Sequence, residues 1–276
     1  MKSTHLKAAV ACALAALFAM ALVAPVAAQA SETPAKGYSQ FAGCPDKKES
    51  SIVSICLRNE ITGGHFQMGS KDVPIEHPMT LSGGADGNSQ NFAYNANGGL
   101  TPVKQKVPGG VIGLTGLTFL LELLGSEALT LYAVTELAGT PDISNIEEVK
   151  LPIKVHLVNG VLGNNCYVGS TSNPIKLNLI FGTTNPPEPN KPITGKNPEF
   201  DFNEELSILR LLNGEVVDNS FAAPGASGCV LTLFGFIPIS INGLVNTQSG
   251  LPSPAGHNET RQVVNIEEVE RARVYP

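Results

Sequence analysis

The chain contains no tryptophan, five tyrosines and five histidines, and only 15% of its 276 residues are charged. Each scarcity excludes something. Without tryptophan, the stacked aromatic platforms that hold sugars or single-stranded nucleic acid are poorly supplied. The histidines His5, His65, His77, His156 and His257 are scattered, and no H-E-x-x-H pair exists to hold zinc. Acids outnumber bases 24 to 18, which argues against nucleic acid and anionic membrane surfaces as partners. Nucleotide motifs are missing too. Gly195-Lys196 resembles half of a P-loop, but Asn190 and Asn197 stand where a glycine and a hydroxyl are needed. Gly109, Gly110, Gly113 and Gly116 do not make G-x-G-x-x-G, and Gly225-Ala226-Ser227-Gly228 misses a serine-hydrolase elbow by one residue. No cofactor and no metal is expected.

The amino terminus is informative. Lys2 and Lys7 precede an uncharged apolar run from Ala8 to Ala28, which ends in Ala28-Gln29-Ala30. That order is the pattern of a secretory signal peptide, with cleavage expected after Ala30. A retained membrane anchor is the alternative, since the run is just long enough to span a bilayer. A lipoprotein reading through Cys12 is weaker, because the apolar stretch before Cys12 is short. Losing Lys2 and Lys7 with the leader moves the formal net charge from −6 to −8. It also removes Cys12 and leaves four cysteines: Cys44, Cys56, Cys166 and Cys229. An even count in an exported chain reads as disulfides. Of three possible pairings, the nearest-neighbour one, Cys44–Cys56 and Cys166–Cys229, is expected. A metal site is the alternative, but no C-x-x-C spacing supports it.

Residues 31–43 are small, polar and Pro/Gly-containing, and read as a flexible arm before a single domain over 44–276. Short strand patterns follow. Residues 64–69 and 73–75 flank a Ser70-Lys71-Asp72 turn, and residues 83–99 read as a long surface loop. Residues 150–158 (KLPIKVHLV) alternate as a half-buried strand, and Pro152 within them suggests an edge or a bulge. Residues 174–181 repeat the alternation. Five prolines within 182–198 suggest an extended, tethered connection. Asn213-Gly214 between apolar residues signals a hairpin. Residues 260–274 read as a final strand. Two segments stand apart: 114–124 (LTGLTFLLELL) has the length and leucine content of a helix that is buried or covers the end of a sheet, and 230–245 fits a strand or a short helix broken at Pro238, with helix favoured for its second half. Together these patterns predict a mostly antiparallel β-sandwich with one or two short helices, stapled by disulfides.

Candidate chemistry is sparse. His257, in the loop Ser253–Asn258, is the one histidine placed to act as a base, in a hydrolase that would recruit a nearby serine or aspartate. The pairs Glu147-Glu148, Glu204-Glu205 and Glu267-Glu268 read as solvated charge, since neighbours on a strand face opposite ways. Asn258-Glu259-Thr260 fits a glycosylation sequon.

Four strings occur together: Asn165-Cys166-Tyr167-Val168-Gly169-Ser170 with Ser172-Asn173-Pro174-Ile175; Pro189-Asn190-Lys191-Pro192-Ile193-Thr194-Gly195; Asp218-Asn219-Ser220-Phe221-Ala222-Ala223-Pro224-Gly225 leading to Cys229; and Leu251-Pro252 with Ala255-Gly256-His257-Asn258. With them the chain resembles a family of secreted proteins of actinomycete-type bacteria that has no assigned activity. The resemblance implies export and a shared fold, and no mechanism. The tail after Asn258 is more charged than that family's pattern. Three functions are then open. The first is an exported non-catalytic module, binding or structural, whose partner is a cell-envelope component. The second is a carrier of a hydrophobic small molecule, with 114–124 and 230–245 as cavity walls. The third is the hydrolase built on His257.

Overall fold

The alternating segments form a large curled antiparallel sheet. A computed structural model describes residues 32–87, 91–145, 148–233 and 237–276. The expected leader and its cleavage site lie outside the described residues. The principal strands, in chain order, are β1 (Ile55–Met68), β2 (Lys71–Pro74), β3 (Met79–Ala85), β4 (Lys104–Lys106), β5 (Tyr132–Leu137), β6 (Glu148–Val158), β7 (Ile175–Ile180), β8 (Ile208–Asp218) and β9 (Glu259–Glu270). One half of the sheet runs β4-β5-β6-β7 and the other β8-β9-β1-β3, with β2 beside β1. The halves join where β7 meets β8 at Ile180 and Val217. They fold face to face, because each carries an apolar face that only the other can cover. One core therefore holds Leu151, Ile153, Val155 and Leu177 from the first half and Ile61, Met79, Leu81 and Val264 from the second. The fold is the antiparallel β-sandwich that the patterns predict. Both disulfides, Cys44–Cys56 and Cys166–Cys229, are present as expected.

Several local expectations change. β6 is flanked on both sides and is not an edge strand. Pro152 is tolerated because its missing N–H faces the gap where β5 ends, opposite Ile153, and the short strand Asp142–Asn145 begins, opposite Lys150. Asn213-Gly214 makes no hairpin. Asn213 takes a left-handed φ of 54°, and the pairing with β9 shifts register between Leu211 and Gly214. The pair is thus a bulge inside a strand that continues on both sides. β1 has its own register shift against β9 between Ile61 and Gly63. There Gly64 has φ +109°, and a Cβ would collide with the Arg261 carbonyl oxygen.

The arm is not loose over its described part, 32–43. Tyr38 and Phe41 are buried with Cys44, Cys56, Val269, Val274 and Tyr275 in a second cluster on the outer face of β1 and β9. The Ala35 N–H donates to the Val274 carbonyl at 2.8 Å, and the Tyr275 hydroxyl to the Cys44 carbonyl at 3.0 Å. Asp46, fully buried, accepts backbone N–H groups of Glu32, Lys48 and Glu49 at 2.7 to 2.9 Å.

The helical content also differs. Residues 114–124 do not form one buried helix. Gly116, at φ 73°, ends α1 (Gly110–Thr115), and α2 (Phe119–Leu124) starts afresh. Only Leu120 of α2 is buried, while Phe119, Leu121, Leu123 and Leu124 are exposed. Within 230–245, Val230–Leu233 pairs antiparallel with Ile237–Ser240, and α3 (Asn242–Ser249) follows. With α4 (Arg271–Val274), the described residues hold four short α-helices rather than one or two.

Candidate functional site

The alternation that builds the sandwich also lines its interior. Successive side chains of a strand face opposite ways. Val149, Leu151, Ile153 and Val155 of β6 therefore look across at Gln262, Val264, Ile266 and Glu268 of β9 and at Leu57, Asn59 and Ile61 of β1. Packing between them is incomplete. An outer hollow of about 140 Å³ is bounded by Ile55, Leu57, Asn59, Leu81, Asp86, Ile143 and Glu268, among others. A middle hollow of about 30 Å³ shares Asn59, Leu81, Val149 and Ile266 with it. An inner hollow of about 50 Å³ shares Ile61, Leu151 and Gln262 with the middle one. From Val149 to Val155 the row follows six residues of strand, about 20 Å at ~3.4 Å per residue. A dry apolar cavity of about 150 Å³ is enough for a benzene-sized ligand, so the outer hollow alone holds a small apolar group.

Among the polar side chains that border this mainly apolar slot, Gln262, Asn59 and Glu268 each have an acceptor with no hydrogen bond among the described residues. Gln262 is buried, at 4% exposure, with its Oε1 unbonded, while its Nε2 reaches the Thr260 hydroxyl at 3.3 Å. Asn59 has a buried Oδ1 without a hydrogen bond. The Glu268 carboxyl, half-buried at the outer hollow, has no hydrogen bond or ion pair among the described residues, and burial pushes its pKa up. Asn59 pairs with Ile266 and Leu57 with Glu268, so Asn59 and Glu268 are diagonal neighbours on adjacent strands, within reach of one ligand group. Buried polar atoms are normally hydrogen-bonded, and an unmade bond costs about 1–3 kcal/mol. Two such buried atoms, Asn59 Oδ1 and Gln262 Oε1, lie along one slot, with the half-buried Glu268 carboxyl at its outer end. We expect Gln262→Leu to raise the melting temperature by a few degrees, at about 2–4 °C per kcal/mol for a domain of this size. Scanning calorimetry checks this. A fall instead would show that the amide is satisfied within the fold.

The residues singled out from sequence lie elsewhere. His257 is exposed, and no hydroxyl or carboxylate is hydrogen-bonded to it among the described residues. His65 bonds Asp72 at 2.8 Å, and His156 stacks on Tyr167 at 4.3 Å; both sit on outer faces. No described residue of either apolar segment lines the slot. Leu121 instead borders an open surface groove of about 370 Å³ with Pro74, Lys106 and Leu131. That groove is larger, but it is open to water, so its polar groups are solvated and nothing in it calls for a ligand. Asn258, the sequon residue, is buried with its Nδ2 donating to the Phe221 and Pro254 carbonyls at 2.9 and 3.0 Å, so the folded chain offers no glycan acceptor there.

Glu268 and Gln262 escape notice as sequence because Glu267-Glu268 reads as solvated charge. That holds for Glu267, which turns outward to Arg58 at 3.6 Å, and fails for Glu268. The signal was the period of two: Gln262, Val264, Ile266 and Glu268 share a face, and two apolar members fix it as the core face. Among the described residues, no group of three or more His, Cys, Asp or Glu side chains could hold a metal ion, and no helix is long and apolar enough to cross a membrane. Compared with protein-family models, curated proteins and solved structures, the chain matches none.

Proposed function

We propose that this protein is an exported, non-catalytic β-sandwich that carries an apolar small molecule between its two half-sheets. The observation that carries the reading is the row of hollows along β6 and β9, with unpartnered Gln262, Asn59 and Glu268 facing it. Buried polar atoms without a partner are uncommon in native folds, and two of them border this one slot beside a half-buried carboxyl. Export is supported by the leader pattern of residues 1–30, by the resemblance to secreted actinomycete-type proteins, and by two disulfides, which persist in oxidising compartments.

The test fills the slot. Val149 borders both the outer and the middle hollow, and Val149→Trp occupies them with an indole. N-phenyl-1-naphthylamine, which fluoresces in apolar surroundings, is the probe. The wild type is expected to bind it saturably, and the variant, shown folded by circular dichroism, to bind it at least about tenfold more weakly. Equal binding by both would overturn the carrier reading. A second reading, an envelope-associated structural module, is favoured by the exposed Phe119, Leu121, Leu123 and Leu124 of α2. It predicts that Val149→Trp leaves association with the envelope fraction intact.

A further inference from the structure

The mouth of the slot carries information about the head of whatever enters it. Resting on the carrier reading above, we infer that the slot selects an apolar chain whose polar end donates hydrogen bonds, an amine or an alcohol, and rejects one ending in a carboxylate. The outer hollow is lined by two acids, Asp86 and Glu268, and by the amides Asn59 and Asn145. Among the described residues, no lysine, arginine or histidine lines it, nor the middle and inner hollows. The nearest cation on β1, Arg58, faces the opposite side of its strand and is engaged by Glu60 and Glu267 at 3.3 and 3.6 Å.

The unsatisfied atoms agree in sign. The Asn59 Oδ1 and the Gln262 Oε1 are both acceptors without a donor, and the Glu268 carboxylate is an acceptor as well. Gln262 is the strongest of these observations, because it is buried, borders both the middle and the inner hollow, and has an unbonded amide oxygen. A ligand supplying N–H or O–H groups completes these acceptors. An anionic head would bring a further acceptor and a third negative charge beside Asp86 and Glu268, in a hollow lined by no cation among the described residues, and like charges close together in low dielectric repel strongly. An ammonium at the mouth would make charge-assisted hydrogen bonds to Glu268, the stronger class.

The experiment is displacement of N-phenyl-1-naphthylamine by decylamine, decanol and decanoate, below their aggregation concentrations, with the Val149→Trp protein as the blank for binding outside the slot. Decylamine and decanol are expected to displace the probe at concentrations at least about tenfold below decanoate. Glu268→Gln should weaken decylamine about tenfold, leave decanol within about twofold, and narrow the gap to decanoate. If decanoate displaces as well as decylamine, or if Glu268→Gln leaves the order and the gaps unchanged, the inference on the head group is wrong while the carrier reading stands. If the probe binds wild type and blank alike, the carrier reading itself has failed.

Discussion

Replacing Asn258 with alanine is expected to cost the fold about 3 kcal/mol or more, among the largest single-residue losses in the chain. The side chain is 1% exposed and every one of its polar bonds is to backbone. Its Oδ1 accepts the Gly69 N–H at 2.9 Å, and its Nδ2 donates to the carbonyls of Phe221 at 2.9 Å and Pro254 at 3.0 Å. Alanine leaves one donor and two acceptors unpaired in a site closed to water, at about 1–3 kcal/mol each where no water enters. Urea unfolding measures the difference at constant m-value. Asn258→Asp separates bonding from volume. It keeps the shape and the acceptor for Gly69, but it turns a carboxylate oxygen toward two carbonyls. It is therefore expected to be at least as damaging as alanine at neutral pH. An aspartate variant close to wild type would refute the hydrogen-bond account.

The same residue explains what the sequence was legible for. Three of the four strings that carry the resemblance meet around it. Asn190, from the proline-rich stretch, donates to the backbone carbonyls of both Asn219 and Asn258, at 2.9 and 2.8 Å. Asn219 in turn donates to the Lys191 carbonyl at 2.8 Å. The distinctive residues are thus clamps between loops, and their chemistry is that of satisfying buried backbone. Strand alternation at β6, β7 and β9 was readable because each has one face covered and the other wet. The cysteine pairing was readable because few arrangements exist. What was not readable depends on partners distant in sequence. Asn213-Gly214 carries a hairpin signal, yet β9 pairs with the residues on both sides and turns it into a bulge. The leucines of α2 look like core, yet one turn of helix after Gly116 covers only Leu120. The slot was hidden for the same reason. Its walls come from strands more than a hundred residues apart, and its polar groups are ordinary residue types made unusual by the faces they occupy.

The second large effect is expected at Cys166–Cys229. The bridge spans 63 residues, against 12 for Cys44–Cys56. Chain-entropy reasoning assigns about 4 kcal/mol to the long loop and about 3 kcal/mol to the short one. The position of the long loop adds to the difference. It contains β7, the proline-rich stretch and β8, and so it encloses the point where the two half-sheets join, at Ile180 and Val217. Cys44–Cys56 lies instead in the second cluster, on the outer face. The double variant Cys166→Ala/Cys229→Ala is therefore expected to lose about 4 kcal/mol in urea unfolding. It should also weaken probe binding in the slot, because the facing of β6 and β9 depends on that junction. Cys44→Ala/Cys56→Ala should lose about 3 kcal/mol and bind the probe as the wild type does. Both bridges have fully buried sulfur-bearing residues, so dithiothreitol under native conditions should leave them intact and act only when the chain unfolds. Equal binding losses in the two double variants would mean that the slot depends on overall stability and not on the junction, and would remove the structural reason for ranking the longer bridge first.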